Sequence, residues 1–319
     1  MRKSLTLLRR LGGVLIDPVY PPLSLSITES HLTLLSLRYQ RGEFEPQQVA
    51  ILPLPAGLVT PDFVRPNIAE EGQFRQILER LPIEAGLKKV GRLSVSLPSM
   101  SGRSHVLSLE SAPRSRSEEA QLLDWKIERT AGYPTSELRV SQCSLPVFDG
   151  RPHWLVSLAH QAVLSQYESI FDQLGWQAGL IVPRHLAELF WLTRAKVEGD
   201  QMLVTPTSRG FEVVLLHGST PLLVREVDCT PEEVENEFYR LVVFYRDRLI
   251  SSAEPSSLFR LLVTGSSADQ QRYRDLAVSA LERPVVSLTP AQLGFRLDPG
   301  MVLSQVVAAA GLATCAWPS

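Results

Sequence analysis

Runs of apolar residues divide positions 201–265 into strands, tight turns and a helix. Three runs rich in Val and Leu, QMLVT, FEVVLLHG and LLVREV, are separated by the turn segments TSRG and STP. This pattern predicts a three-stranded meander. The next segment has apolar residues at helical spacing, which predicts one buried face: Val234, Phe238, Leu241, Val242, Tyr245 and Leu249. The run LFRLLVTG is apolar throughout, which predicts a strand covered on both faces.

The start of this helix carries a capping signal. The Thr230 hydroxyl can accept a hydrogen bond from the first-turn amides, and Pro231 suits the first helical position. Glu233 stands where a capping box needs an acid. We therefore predict that the helix begins at Thr230.

The same order of elements occurs earlier in the chain. Strands are predicted at 23–28, 31–39 and 47–54, followed by a helix and then by a strand at 93–98. A helix, a strand and another helix then close each half of the chain. Two copies of one pattern, about a domain length apart, predict a duplicated α/β fold.

Residues 100–150 interrupt the repeat. They contain an apolar run at 105–111, an amphipathic helix at 117–133, and the first of two strands joined by Asp149–Gly150, a dipeptide typical of hairpin turns. We predict a basic segment at 1–22, a first domain at 23–99 and 151–198, a small α+β insert at 100–150, and a second domain at 199–319.

Composition and charge exclude several classes of protein. The 319 residues are 44% hydrophobic, enough for two cores, and a net charge of -2 gives no overall attraction for nucleic acid. Cys143, Cys229 and Cys315 lack the spacing of a disulfide framework or a zinc site, which favours the cytosol. No apolar run is long enough to span a membrane, and Arg9 and Arg10 stand where a signal peptide has its apolar core.

The basic N-terminal segment allows two interpretations. Leu5, Leu8 and Leu11 lie near Arg2 and Lys3, which suits a short amphipathic helix on an anionic membrane surface. A frayed basic terminus is the commoner structure of such a segment. We favour the frayed terminus.

The order of elements, with an insert in the first domain, resembles the actin-like ATPase fold, which consists of two duplicated RNase-H-like domains. Within that fold the chain is similar to the PilM-like proteins of type IV pilus assembly, with the GspL cytoplasmic domain and FtsA as relatives. The resemblance runs from about Leu23 to Ala313. Its local matches are SLPSMSGRSHVLSL (96–109), EFYRLVVFY (237–245), LLVTG (261–265) and GLA (311–313).

The resemblance implies a nucleotide pocket, but the first phosphate loop departs from the family pattern. That pattern is like GIDIGSSSVK, in which a glycine admits phosphate to the backbone amides, an Asp organises magnesium and a Lys approaches phosphate oxygens. The matching segment, SLSITESHLT, places Ser26, Thr28 and Thr33 at the Asp, Gly and Lys positions. Glu29, in the turn, is the nearest acid.

The other two nucleotide loops differ as well. The DIG of the second phosphate loop matches Thr205, Pro206 and Thr207, while Gly265 fits the adenosine loop but is followed by serines instead of further glycines. A pocket without magnesium carboxylates, and with a proline in place of an amide donor, should not stabilise a polyphosphate. We therefore expect a pseudo-ATPase with no catalytic residues, no metal and no cofactor.

The resemblance also implies a partner. PilM-like proteins hold the cytoplasmic N-terminal tail of a bitopic inner-membrane protein, PilN in pilus systems, in a groove by the insert; an extended peptide added to a sheet edge would suit this. We expect a cytoplasmic scaffold of a type IV pilus or related type II secretion platform, peripheral to the inner membrane. The insert could instead contact another copy in a filament.

A second hypothesis belongs to a different class. It is an active ATPase of the PilM or FtsA type, which binds ATP with magnesium and polymerises or switches with nucleotide. A shared fold does not decide between a scaffold and an enzyme, so the residues of the site must decide between them.

Other catalytic chemistry has little support in the sequence. The six histidines show no HExxH motif or paired spacing for a metal. The segment Gly102–Val106 contains a serine but lacks the second glycine of a nucleophile elbow, so we expect a connection to the insert there. Trp125 and Tyr133 could contact a partner, but packing against the insert's own sheet is the commoner role.

Overall fold

The computed structural model describes residues 20–110, 113–148, 150–194, 199–248 and 259–317. Most of the predicted basic segment, and Leu249 of the predicted helix face, lie outside the described residues. None of the helices within these ranges has the length and apolar character needed to cross a bilayer.

The strands and helices follow the predicted order. The strands are β1 Leu23–Ile27, β2 His31–Gln40, β3 Glu43–Pro53, β4 Arg92–Leu97, β5 Arg103–Ser108, β6 Leu138–Phe148, β7 Arg151–His160, β8 Gln177–Pro183, β9 Asp200–Thr207, β10 Gly210–His217, β11 Thr220–Asp228, β12 Phe259–Val263 and β13 Val285–Ser287. The helices are α1 Glu71–Glu84, α2 Arg116–Ala131, α3 Gln161–Gln173, α4 Arg184–Arg194, α5 Val234–Arg248, α6 Ser267–Leu281 and α7 Leu303–Thr314. Short 3-10 turns lie at Thr135–Glu137 and Ala291–Leu293.

Two five-stranded sheets repeat one topology. Their strand orders are β3-β2-β1-β4-β8 and β11-β10-β9-β12-β13. In each sheet the first strand of an antiparallel meander also pairs in parallel with a later strand, β1 with β4 and β9 with β12. The predicted duplicated α/β fold is confirmed.

The third sheet belongs to the insert. It is antiparallel with the order β5-β7-β6, and α2 covers one face by packing Leu123 and Ile127 against Trp154 and Val156. Strand β7 extends to His160, so this sheet includes residues that the predicted boundary at 150 assigned to the first domain. The insert sheet extends past residue 150 because β6 pairs with β7 along almost the full length of both strands.

Apolar runs are buried where the pattern predicted them. Strand β12 lies between β9 and β13, and its apolar residues are covered on both faces. Helix α5 buries Leu241, which is 5% exposed, in the core formed with β9, β10 and α6. Helix α7 packs into a separate core that joins β2, α4 and β9, so it holds the two halves of the chain together.

The predicted capping geometry of α5 is wrong in one respect. The helix begins at Val234 rather than at Thr230. The Glu233 carboxylate accepts from the Thr230 backbone amide at 3.0 Å and from its hydroxyl at 3.1 Å, so the hydroxyl donates to the acid instead of accepting from the helix. These bonds lower the pKa of Glu233. The reason for the later start is that residues 231–233 form a turn closed by the Glu233 amide on the Thr230 carbonyl.

Candidate functional site

The three predicted nucleotide loops meet at one cavity of about 250 Å³. The β1–β2 turn contributes Thr28 and Glu29, the β9–β10 turn contributes Pro206 and Thr207, and the loop after β12 contributes Gly265. Chain segments far apart in sequence are thus brought together at one cavity.

Three other predicted positions lie beneath this cavity, inside the sheets. Ser26 and Thr33 are buried and directly opposite each other on β1 and β2. The Thr33 hydroxyl donates to the Gln305 carbonyl at 2.8 Å, and the buried Thr205 hydroxyl donates to Glu188. Both threonine hydroxyls are therefore engaged in contacts within the protein.

The two phosphate-loop positions are connected across the cavity. The Glu29 carboxylate accepts a hydrogen bond from the Ser208 hydroxyl at 2.8 Å, which joins the β1–β2 turn to the β9–β10 turn. The nearest acid to the first loop thus contacts the second loop directly.

The adenosine-loop position is crowded by its neighbours. A Cβ atom at Gly265 would come within 2.7 Å of both the Pro206 ring and the Asp269 carboxylate. Asp269 forms a capping box with Ser266 at the start of α6, with its carboxylate 2.9 Å from the Ser266 amide and its own amide 3.2 Å from the Ser266 hydroxyl. The serine that replaces a family glycine therefore has a structural role, and the spacing S-x-x-D is the sequence signal that indicates it.

A buried ion pair that the sequence pattern did not predict joins Arg184, which lines the cavity, to Glu188. Arg184 Nε lies 2.8 Å from Glu188 Oε1, and Arg184 Nη2 donates to the Ser304 carbonyl at 3.0 Å. Glu188 is fully buried and also accepts from the hydroxyls of Thr205 and Thr264. An Arg and a Glu four residues apart on an apolar helix are the available sequence signal. The pair neutralises both charges at the base of the cleft.

His31 lines the same cavity and was not predicted as a site residue. Its Nδ1 lies 3.0 Å from the hydroxyls of both Thr28 and Ser30. Burial, followed by the positive charge of Arg184, lowers the pKa of His31. The imidazole is therefore neutral at neutral pH. Across the described ranges, no group of three or more His, Cys, Asp or Glu side chains is placed to hold a metal ion.

A larger cavity of about 550 Å³ lies beside the insert. Phe63, from the loop after β3, and Tyr133, from the end of α2, line it with their ring centroids 5.8 Å apart. The Arg103 guanidinium lies 4.2 Å from the centroid of the Phe63 ring. Arg209 and Asp228, which form an ion pair on the second half of the chain, complete the opposite wall. The cavity combines an aromatic surface with charges of both signs.

The two insert aromatics differ in their surroundings. Tyr133 is half-buried against Phe63, in the cavity. Trp125 is 56% exposed, with the Arg129 guanidinium 5.3 Å above its ring. The expectation that Trp125 packs against the insert's own sheet is wrong because it projects from the outer face of α2, whose buried face carries Leu123 and Ile127.

We expect His105 to make the fold sensitive to acid. Its Nε2 is buried without a hydrogen-bond partner among the described residues, and burial, followed by the charges of Arg103 and His185, lowers its pKa to about 4. Between pH 6.5 and 4 the unfolded chain therefore binds a proton that the folded chain does not, and stability falls as pH falls. Urea unfolding at pH 7 and 4.5 should show wild type losing about 2 kcal/mol more than His105→Leu does. Equal losses in both proteins would contradict this assignment.

Comparison with known proteins found similarity in structure only. No family model and no curated protein matches the sequence. The PilM chain of a PilM–PilN type IV pilus biogenesis complex matches with a TM-score of 0.73 and 18% identity, over 94% of this chain and 100% of that one. A Bacteroides thetaiotaomicron protein with an actin-like ATPase fold and unknown function matches with a TM-score of 0.52 and 10% identity, over 84% and 91%.

A more remote match is the cytoplasmic domain of EpsL, an inner membrane component of the type II secretion system of Vibrio cholerae, with a TM-score of 0.44 and 12% identity over 91% of this chain and 94% of that one. At these identities the comparisons establish architecture and leave chemistry to the residues of the site. The chain therefore has the actin-like ATPase fold and is similar over nearly its whole length to PilM.

Proposed function

We propose that this protein is a cytoplasmic actin-like scaffold of a type IV pilus or related secretion platform, and that it binds the cytoplasmic tail of a PilN-like inner-membrane partner. The observation that carries the proposal is the similarity to PilM, together with a cavity beside the insert that residues from both halves of the chain line. In this proposal the nucleotide cleft is degenerate and the protein is peripheral to the inner membrane.

The contacts of the cleft support a pseudo-ATPase. The carboxylate of Glu188 is enclosed by Arg184, Thr205 and Thr264 and is fully buried, so it does not face the cavity as a magnesium ligand would. Pro206 has no amide hydrogen to offer to a phosphate. Glu29 places a carboxylate across the entrance, where it would repel a polyphosphate.

ATP with magnesium is expected to leave the melting temperature unchanged. A ligand that binds only the folded state, present at a hundredfold excess over its Kd, would add about 2.7 kcal/mol and raise the melting temperature measurably. Thermal unfolding with ATP, ADP or neither, each with magnesium, measures this directly. A clear ATP-dependent shift, or turnover that is lost in Thr205→Ala, would favour the active ATPase instead.

The cavity beside the insert supports binding of an extended tail. Phe63 and Tyr133 provide an aromatic surface for an apolar side chain, and Arg103, Glu226 and Asp228 surround it with charge. Strand β5 is an edge of the insert sheet and lies against β11, the edge strand of the second five-stranded sheet. This edge is therefore covered, and in our proposal the tail binds through side-chain pockets rather than by adding a strand to β5.

Tyr133→Ala is expected to weaken binding of the partner tail by at least about tenfold, because a buried aromatic contact contributes more than about 1.4 kcal/mol. Trp125→Ala is the matched control, since it removes an exposed aromatic side chain from the same insert outside the cavity. Fluorescence anisotropy with a labelled N-terminal tail of the PilN-like protein measures both affinities.

Point substitutions are preferable to removing residues 100–150. That deletion would take away β5 and β6 and leave β7, with buried Trp154, Val156 and Leu158, without its sheet. Equal affinity of wild type and Tyr133→Ala, or loss of binding in Trp125→Ala alone, would place the tail elsewhere on the protein.

A further inference from the structure

A serine, a histidine and a glutamate from three separate elements meet between the insert and the second half of the chain. Ser104 lies on β5, His185 on α4 and Glu212 on β10, and each is less than 5% exposed. Ser104 Oγ is 2.8 Å from His185 Nε2, and His185 Nδ1 is 3.5 Å from Glu212 Oε2. The second distance is that of an ion pair and is too long for a good hydrogen bond. The imidazole thus has a hydroxyl on one side and a carboxylate on the other.

The surroundings of Glu212 favour its ionised form. Its carboxylate accepts from the Met100 amide at 3.2 Å and from the Ser99 hydroxyl at 3.1 Å. Burial alone would raise the pKa of Glu212, but the positive charge of a protonated His185 and these two donors outweigh it and hold the pKa below its ordinary value. An ionised carboxylate beside Nδ1 favours a proton on Nδ1. In the neutral imidazole, which is the form that can act as a base, Nε2 then accepts from the Ser104 hydroxyl.

The backbone that precedes Ser104 is tightly constrained. Met100 has a φ of 70°, a left-handed conformation that is costly for a residue with a side chain. A Cβ atom at Gly102 would lie 2.9 Å from the Pro183 ring and 3.2 Å from the Leu158 carbonyl, so only glycine fits. This contact holds the start of β5 against the start of α4, and it thereby fixes Ser104 beside His185.

All three side chains line one cavity of about 270 Å³. Arg103 and Arg225 line its walls together with Glu226 and Asp228. A cavity of this size admits a small organic molecule.

Other buried serines have different partners. Ser24 donates to the Ala309 carbonyl at 2.6 Å, and Ser101 donates to the Asn67 side-chain oxygen at 2.5 Å. Amide oxygens accept hydrogen bonds but are too weakly basic to take the proton. Ser104 instead faces an imidazole, which can act as a general base.

We propose that Ser104 is a nucleophile, activated by His185 and oriented through Glu212, that takes the acyl group of a small ester. Oγ forms a bond to the carbonyl carbon while its proton passes to His185 Nε2. The bond from that carbon to the leaving oxygen then breaks, and the departing alcohol takes the proton from His185. Water, deprotonated by the same imidazole, then releases the acid and restores the serine. Neither an oxidant nor a metal is needed for this sequence.

A fluorophosphonate probe tests the proposal on the intact chain. Attack by Ser104 forms an Oγ–P bond and expels fluoride, so intact mass and peptide mapping should show one adduct on the peptide that contains Ser104. Ser104→Ala should abolish it, and Glu212→Gln should slow labelling by at least roughly tenfold, because the isosteric amide lacks the charge. Ser157→Ala is the matched control, since Ser157 pairs with Ser104 across β5 and β7 and is expected to leave the rate unchanged.

Hydrolysis of p-nitrophenyl acetate provides a second readout. Wild type and Ser157→Ala should release nitrophenolate at equal rates, and Ser104→Ala should fall to the rate of buffer. Near-UV circular dichroism checks that each variant is folded. Absence of an adduct on folded wild type, or an equal adduct on Ser104→Ala, would overturn the proposal and leave the three side chains as structural contacts between the insert and the second half.

Discussion

Gly311→Ala is expected to lower the free energy of unfolding by about 3 kcal/mol or more. Gly311 lies on α7 where this helix packs against α4, and a Cβ atom there would overlap the backbone carbonyl oxygen of Ala187 and approach Trp191 Nε1 to 3.2 Å. Ala187 is fully buried, so its backbone has little room to move. The two helices would have to separate, and the core that joins both halves of the chain would lose contacts.

Gly72→Ala is the matched control for this prediction. Gly72 also lies in a helix, α1, but nothing is within 4 Å of a Cβ atom added there. Alanine is the better helix former, so this variant is expected to gain up to about 1 kcal/mol. Urea unfolding of wild type and both variants measures the two changes. A loss of less than about 1 kcal/mol in Gly311→Ala would show that α4 and α7 accommodate the methyl group.

The elements of the fold were predictable because each depends on a local pattern. Alternating or continuous apolar runs gave the strands of both meanders, and helical spacing gave the buried face of α5. The start of α5 was not predictable to the residue, since Thr230 and Glu233 satisfy each other in a turn as readily as at a helix end. The contact between α7 and α4 at Gly311 could not be predicted from the sequence either. The GLA motif indicates a small residue, but it does not identify Ala187 as the neighbour.

The sequence predicted the strands and turns that form the candidate site. It did not predict the side-chain contacts between them. Thr28, Thr207 and Gly265, which come from three predicted turns and loops, line one cavity. Arg184 and Glu188 were missed, because their importance comes from contacts with Thr205 and Ser304 elsewhere in the chain. His185 lies 81 residues from Ser104, and no spacing rule connects a strand of an insert with a helix of the domain that surrounds it.

Glu188→Ala is expected to cost about 3–5 kcal/mol in the free energy of unfolding. The change removes the carboxylate that accepts from Arg184, Thr205 and Thr264, while the Arg184 side chain, only 13% exposed, keeps its charge. Among the residues that the structure describes, the Ser304 carbonyl is then the acceptor left for that guanidinium. A buried cation without its counterion is costly because water cannot solvate it adequately.

A double variant separates the cost of an unpaired buried charge from the cost of lost volume. Arg184→Met combined with Glu188→Leu replaces both charges by apolar groups of similar size, and it should recover most of the stability lost in Glu188→Ala. Glu237→Ala is the surface control, because the Glu237–Arg240 pair at 2.8 Å joins side chains that are 34% and 75% exposed, and its loss should change stability by less than about 1 kcal/mol. The decisive comparison is between the two glutamates. If urea unfolding finds equal effects for Glu188→Ala and Glu237→Ala, Arg184 must reach water in the variant. Arg184, which lines the cavity, would then be hydrated well enough to meet a phosphate, and a pseudo-ATPase would be less well supported.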